Sequence, residues 1–87
     1  MLVTGSQIRA ARALLGWSAQ VLADAAGVGI MTIHRFEREN GIPKGQVRIF
    51  DQITNALIAG GVEFIGTPDD GPGVRLRKLP KDQPKLK

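Results

Sequence analysis

Two arginines, Arg35 and Arg38, lie in the stretch IMTIHRFER, which has helical periodicity. With Ile33 at the centre of the buried face and a rotation of about 100° per residue, both arginines and Met31 fall on the opposite side. An arginine on such a face can donate two hydrogen bonds to guanine O6 and N7, or it can bind a phosphate. The alternative is a solvated face, on which the arginines are unpaired or pair with Glu39.

The same stretch opens on two apolar residues, Ile30 and Met31, where a helix facing water or a groove is normally polar. Met31 can contact a thymine methyl group, because small apolar contacts contribute to base recognition. Ile30 can do the same, or it can be partly buried against the preceding helix. His34 has no second metal ligand nearby in the sequence. We therefore expect it to donate to a phosphate or to lie in solvent.

No residue pattern indicates catalysis. The chain has no clustered carboxylates, no Ser/His/Asp set, no glycine-rich phosphate loop and no spacing typical of metal ligands. Asp69 and Asp70 are adjacent acids, but they lie in a turn-rich segment, where a solvated turn is the expected interpretation. The prediction is a protein that is not an enzyme and has no cofactor and no metal.

The positive charge is concentrated at one end of the chain. The net charge is +4, but residues 75–87 hold six basic residues against one acidic residue, Asp82. The other 74 residues hold six basic and seven acidic residues. Nucleic-acid binding by the body of the protein must therefore depend on where its charges lie, since the total charge does not favour it.

Length and composition favour one small cytoplasmic domain. The chain has 87 residues and no cysteine, so disulfides are excluded. The apolar runs are far shorter than the roughly 18 residues that a membrane helix needs. The start, MLVTGSQIRA, lacks the basic residues and apolar core of a signal peptide.

Helix start and stop signals predict four helices. The first follows a possible capping box of Thr4 and Gln7 and ends at Gly16. The others are predicted from Ala19 to Ala26 after a Ser18 cap, from about Ile30 to Glu39 before Asn40-Gly41, and from about Gln46 to Ala59. The residues expected to face the core are Ile8, Ala11, Leu14, Leu15, Val21, Leu22, Ala25, Ala26, Val47, Phe50, Ile53 and Leu57. Gly27 supplies the positive φ of the turn between the second and third helices.

The segment after Gly61 changes character. Residues 62–65 (VEFI) and 74–77 (VRLR) are strand candidates, and the second alternates apolar and charged residues. The segment between them, TPDDGPG, is dense in turn residues. The prediction is a β-hairpin with a long loop.

The segments QIRAARALLGWS, LADAAGV and TIHRFE together resemble the lambda-repressor-like helix-turn-helix family of Cro and repressor proteins, also called the xenobiotic-response-element type. The likeness covers about residues 4–78. Ala23, Gly27 and Ile33 match the family's small helix-crossing residue, turn glycine and buried aliphatic residue. The resemblance implies a mainly α, compact domain of four to five helices with a C-terminal β-hairpin. It also implies a buried salt bridge between Arg12 and Glu37.

The family binds DNA as a dimer, with the third helix in the major groove. Carried over to this chain, the resemblance implies a set of DNA-contacting residues: Gln20, Gly29, Ile30, Met31, Thr32, His34, Arg35, Arg38 and Lys44. Two positions depart from the family pattern. Ala19 replaces a glutamine that binds a phosphate, and Gln20, one place later on the helix and turned by about 100°, need not replace it. Gly29 replaces a serine or threonine cap, at a cost of a few tenths of a kcal/mol.

The resulting hypothesis is a sequence-specific DNA-binding transcriptional regulator, acting on double-stranded DNA as a homodimer. The expected organisation is a helix-turn-helix domain over residues 1–61, a dimerising hairpin over 62–78 and a disordered basic tail over 79–87. The alternative is a protein-interaction module that keeps the fold without strong operator binding, motivated by the near-neutral body and by Ala19.

Overall fold

The computed structural model describes residues 2–39 and 45–77. In it, side-chain caps mark the starts of the first two helices. Within these residues the chain forms a mostly helical domain of four helices followed by an antiparallel hairpin. The elements are α1 (Gly5–Leu15), α2 (Ala19–Ala26), α3 (Ile30–Glu37), α4 (Val47–Gly60), β1 (Val62–Thr67) and β2 (Asp70–Leu76). None of the helices in this part of the chain is both long enough and apolar enough to cross a bilayer.

The predicted capping box at the start of α1 is present. The Thr4 hydroxyl accepts a hydrogen bond from the Gln7 N–H at 3.0 Å, and the Gln7 Oε1 accepts one from the Thr4 N–H at 2.8 Å. The Gln7 side chain also reaches the hairpin, because its Nε2 donates to the carbonyl oxygens of Ile65 and Gly73 at 3.3 and 2.9 Å. One buried glutamine thus caps α1 and attaches the hairpin to it.

The core combines all four helices with the start of the hairpin. Its buried apolar residues are Val3, Ile8, Ala11, Leu22, Ala23, Ala26, Ile33, Phe36, Phe50, Ile53, Leu57 and Val62. Several residues expected in the core lie elsewhere. Val47 is 74% exposed, because it is the first residue of α4 and projects beyond the core. Thr54 is buried on that helix, where its hydroxyl donates to the Asp51 carbonyl.

Three further expected core residues, Leu14, Val21 and Ala25, are exposed. The neighbouring elements cover Ile8 and Ala11 of α1 and Leu22 and Ala23 of α2, so only part of each apolar face is buried. Trp17, following α1, packs on the end of α4. A Cβ built on Gly60 would lie 2.9 Å from atoms of both Leu15 and the Trp17 ring. The absence of a side chain at Gly60 allows this contact.

Helix α3 ends at Glu37, two residues earlier than expected. The Glu39 N–H bonds to the Phe36 carbonyl three residues back, which tightens the last turn. The Arg9 guanidinium donates to the carbonyl of Glu37 and so replaces an intrahelical donor. The expected stop signal, Asn40-Gly41, lies outside the described residues.

The hairpin has a short turn, so the prediction of a long loop is wrong. Thr67 pairs with Asp70, which leaves two residues between the strands. The register shifts between Ile65 and Thr67, where Gly66 has a φ of 75°. A Cβ at Gly66 would lie 2.0 Å from the carbonyl oxygen of Gly71, so a larger residue would not fit there. The glycines therefore let the strands continue through a segment whose composition indicates a loop.

The apolar face of the hairpin covers the helices. Val62 is buried, and the paired residues Phe64 and Val74 are half-buried against the core. On the other face, Arg75 Nε donates to Glu63 Oε1 at 2.9 Å. This bond lowers the pKa of Glu63 and raises that of Arg75. The expected basic tail, residues 79–87, lies outside the described residues.

Candidate nucleic-acid interface

Two helices joined by a tight turn form the frame of the candidate interface. Ser18 caps α2, its hydroxyl accepting a hydrogen bond from the Val21 N–H at 3.1 Å. Gly27 ends α2 with a φ of 72°, and α3 begins three residues later, at Ile30. Ala23 and Ile33 are fully buried in the core, to which both helices contribute. The Gln52 Nε2 donates to the Ala26 carbonyl at 3.0 Å and so ties the end of α2 to α4.

The inner face of α3 is fixed by packing. Ile33, Phe36 and Glu37 are its buried residues. The Phe36 ring stacks on Phe50 of α4, with the ring centroids 6.3 Å apart. Since interior side chains are closely packed, this face leaves α3 little freedom to rotate.

The expected ion pair between Arg12 and Glu37 is present and joins α1 to α3. Arg12 Nε and Nη2 donate to the two carboxylate oxygens of Glu37 at 2.8 and 3.0 Å. Arg12 Nη1 also donates to the Trp17 carbonyl at 3.0 Å. The Glu37 side chain is 7% exposed and that of Arg12 is 23% exposed. The hydrogen bond to Glu37 raises the pKa of Arg12, so the guanidinium stays charged.

The outer face of α3 presents cations and a methionine to solvent. Met31 is 71% exposed, and His34, Arg35 and Arg38 are also exposed. The Arg35 guanidinium lies 5.5 Å from the centroid of the Phe36 ring. In the part of the chain that the structure describes, neither arginine pairs with Glu39 or another carboxylate. This face therefore carries charge that the described residues do not neutralise.

The other residues of the predicted contact set lie in different surroundings. Ile30 is half-buried against the core, which is one of the two alternatives considered for it, and Thr32 is half-buried as well. Gly29 is the N-cap residue of α3 and has no side chain to accept a capping hydrogen bond. Gln20 is exposed, and its Nε2 donates to Asp24 Oδ1 at 3.0 Å. Lys44 lies outside the described residues.

The exposed cation Arg48 is not in the predicted contact set. Arg48 lies in the first turn of α4, where the helix dipole disfavours positive charge. The entry to this helix lies against α3, because a Cβ at Gly45 would be 3.0 Å from the Phe36 ring. Arg48 could have been added to the predicted contact set from the sequence, because it is a basic residue near the start of the predicted fourth helix.

The described residues are balanced in charge, with seven arginines and seven acidic residues. For nucleic-acid binding, the arrangement of charges on α3 therefore matters more than the total charge of the described residues. The acidic residue within that helix, Glu37, points inward and is paired, whereas its arginine points outward. Among residues 2–39 and 45–77, no group of three or more acidic or histidine side chains is placed to hold a metal ion.

Comparison with protein-family models gives no match for this chain, and no curated protein matches it significantly. The features that point to a function are therefore the geometry of α3 and the side chains on its outer face.

Proposed function

We propose that this protein is a sequence-specific DNA-binding regulator of the lambda-repressor-like type, and that it inserts α3 into the major groove. The observation that carries the proposal is the division of α3 into two faces. Its inner face is fixed by Ile33, Phe36 and the Glu37 ion pair, while its outer face exposes two arginines that have no carboxylate partner among the described residues. A rigid helix with outward donors is what base recognition requires, because the donors must meet acceptors at fixed positions.

Arg35 and Arg38 have the chemistry for the two kinds of contact that binding needs. A guanidinium can donate to guanine O6 and N7 in one plane, which reads the base. It can equally bind a phosphate, which positions the protein and does not read sequence. Arg35 is the better candidate for reading, since it lies within α3 one turn after Met31, whereas Arg38 is the C-cap residue.

The decisive experiment is the titration of parent and Arg35→Ala proteins with duplexes selected from a random pool. We expect parent affinity to fall with increasing salt, because bound phosphates release counterions. Arg35→Ala should lose about 1–3 kcal/mol at the selected site and relax preference at one base pair in each half-site. Arg77→Ala is the matched control: it removes the same charge from an exposed position after the hairpin.

Base reading by α3 is supported if Arg77→Ala binds the selected duplex as tightly as the parent and only Arg35→Ala loses affinity. An unchanged sequence preference in Arg35→Ala removes that residue from the reading role. If the parent retains no duplex even at low salt, the proposed function is wrong.

We further propose that the active form is a homodimer and that the hairpin contributes to its interface. Leu76 supports this, because it is 36% exposed at the end of β2 although it pairs with the buried Val62. The strand edges also offer backbone groups to a second copy. Leu76→Asp should lower the dimer fraction in analytical ultracentrifugation without unfolding the monomer. Deleting the hairpin is a poorer test, because Val62 belongs to the core.

The alternative function is a protein-interaction module that keeps this fold without strong operator binding. Two observations favour it: the described body is neutral overall, and Ala19 is half-buried against the core at the start of α2. Under this alternative, random and selected duplexes bind equally weakly, and Arg35→Ala has no effect on either.

A further inference from the structure

The most unusual residue of the outer α3 face is Met31. Its 71% exposure is surpassed, among the exposed large apolar residues of the described chain, only by that of Val47 at 74%. Ile33 and Phe36 already supply the core contacts of this helix. Covering an exposed methionine with a ligand removes apolar area from water, which favours binding.

Met31 and Arg35 are one helical turn apart, so they are neighbours on the surface. Residues four apart on a helix have Cβ atoms about 5–6 Å from each other. The two side chains therefore present a thioether and a guanidinium side by side. A matching ligand carries a small apolar group next to two hydrogen-bond acceptors.

The major groove of DNA offers this combination. Thymine exposes a C5 methyl group, and guanine exposes the acceptors O6 and N7. Successive bases on a strand are about 3.4 Å apart along the helix axis, a gap that side chains of this length can span. The charges agree with this ligand: within residues 30–38 the exposed ionisable side chains are His34, Arg35 and Arg38, with no exposed carboxylate. This pattern suits a polyanion better than an apolar protein surface.

We propose that Met31 and Arg35 together read a pyrimidine 5-methyl group beside a guanine. This inference rests on the proposed DNA-binding function and specifies what the α3 face recognises. Met31 covers the methyl group, and Arg35 donates to the neighbouring guanine. The methyl group can belong to thymine or to 5-methylcytosine, since both carry it at the same position in the groove.

The test uses duplexes that differ by the methyl group alone. In the selected site, each thymine next to a guanine is replaced by deoxyuridine. In a second pair, cytosine and 5-methylcytosine are compared at the same position, opposite guanine. We expect removal of the methyl group to weaken parent binding about threefold to fivefold at one position in each half-site. The cytosine pair should show the same ratio if the methyl group is read whatever its source, and no effect if only thymine is accommodated.

Met31→Ala should bind the thymine and deoxyuridine duplexes equally, whereas Met31→Leu should keep the discrimination because it keeps an apolar side chain. Val47→Ala is the matched control, since it shortens an apolar residue of similar exposure on α4 and should discriminate like the parent. Thermal unfolding of each variant checks that it is folded.

Equal binding by the parent within both pairs, thymine against deoxyuridine and 5-methylcytosine against cytosine, overturns this inference but leaves the proposed function intact. Discrimination that survives in Met31→Ala assigns the methyl contact to another residue and also overturns it. Absence of any duplex binding overturns the inference and the proposed function together.

Discussion

The first turns of α1 and α3 are built in opposite ways. At α1, Thr4 and Gln7 cap each other, and Gly5 is buried beneath the end of α3. At α3, Gly29 provides no side-chain cap, no described residue lies within 4 Å of the position that its Cβ would occupy, and Met31 is exposed. The first end is closed by the protein itself, and the second is open. The start of α1 is therefore held by contacts within the protein, whereas the described residues leave the start of α3 uncovered.

The two faces of α3 show a similar contrast. The charged residue on the inner face is buried and paired, and those on the outer face are exposed. Glu37 is paired with Arg12 and almost fully buried, while Arg35 and Arg38 are exposed without a described carboxylate partner. Because of this division, we expect substitutions on the inner face to affect folding and substitutions on the outer face to affect binding.

The largest effect on folding is expected for Glu37→Ala. It leaves the Arg12 guanidinium partly buried without its carboxylate, and breaking a buried pair in this way costs about 3–5 kcal/mol. The 23% exposure of the Arg12 side chain places the expected loss toward the lower end of that range. Urea unfolding followed by circular dichroism measures it.

The control for Glu37→Ala is Glu63→Ala, which removes the carboxylate of the exposed pair with Arg75. Since Arg75 is 64% exposed, its charge remains solvated and the unfolding midpoint should hardly move. The pKa of Glu63 is lowered in the folded state, so any contribution of this pair is present above the ordinary pKa of glutamate and is lost as the pH falls through the lowered value. Equal losses in the two variants at neutral pH would contradict the contrast between inner and outer charges.

The next largest loss of stability is expected at the capped start of α1. Gln7→Ala removes the acceptor of the Thr4 N–H and the donor to two hairpin carbonyl groups, so we expect a loss of about 1–3 kcal/mol. Gln7→Glu separates these roles, because a carboxylate keeps the capping box but cannot donate to Ile65 and Gly73. Hydrogen exchange of the β1 and β2 amides should then accelerate while α1 stays protected. Protection of the hairpin equal to the parent would show that Gln7 does not hold it.

Much of this contrast was accessible from the sequence. Thr4 and Gln7 at the spacing of a capping box, and Ser18 before a helical run, are local signals that predict helix starts, and the structure has them. The position of Arg35 opposite Ile33 also follows from helical periodicity. These features depend on residues within one or two turns, so the sequence contains all that determines them.

What sequence inspection missed depends on contacts between distant segments. The Gln7 bonds to Ile65 and Gly73 join residues more than fifty positions apart, and no local pattern indicates them. The short hairpin turn depends on the positive φ of Gly66 and Gly71, whereas the composition of the segment indicates a loop. Val47 continues the apolar periodicity of α4, but the buried part of this helix begins one turn later, at Phe50. Periodicity identifies a face and does not say where its burial stops.

The same glycine-to-serine substitution at both helix starts compares them most directly. Gly5→Ser, at the start of α1, is expected to destabilise the protein. A Cβ at Gly5 would lie 2.2 Å from the Glu39 carbonyl oxygen and 2.3 Å from that of Phe36. Backbone atoms cannot move aside as a flexible side chain can, so overpacking should cost about 1–3 kcal/mol or more. Thermal unfolding at neutral pH measures the loss.

Gly29→Ser is the other half and should have the smallest effect, with the opposite sign. The position is open, and its φ of −76° suits any residue, so the serine side chain enters without strain. Its hydroxyl can accept a hydrogen bond from an N–H of the first turn of α3, and the gain over glycine at a helix cap is a few tenths of a kcal/mol. Binding to the selected duplex should not weaken, because the hydroxyl can itself donate to a phosphate. A loss of stability in Gly29→Ser comparable to that in Gly5→Ser would show that the start of α3 is covered in solution, by a second copy or by residues outside those described. The contrast between the two helix starts would then be wrong.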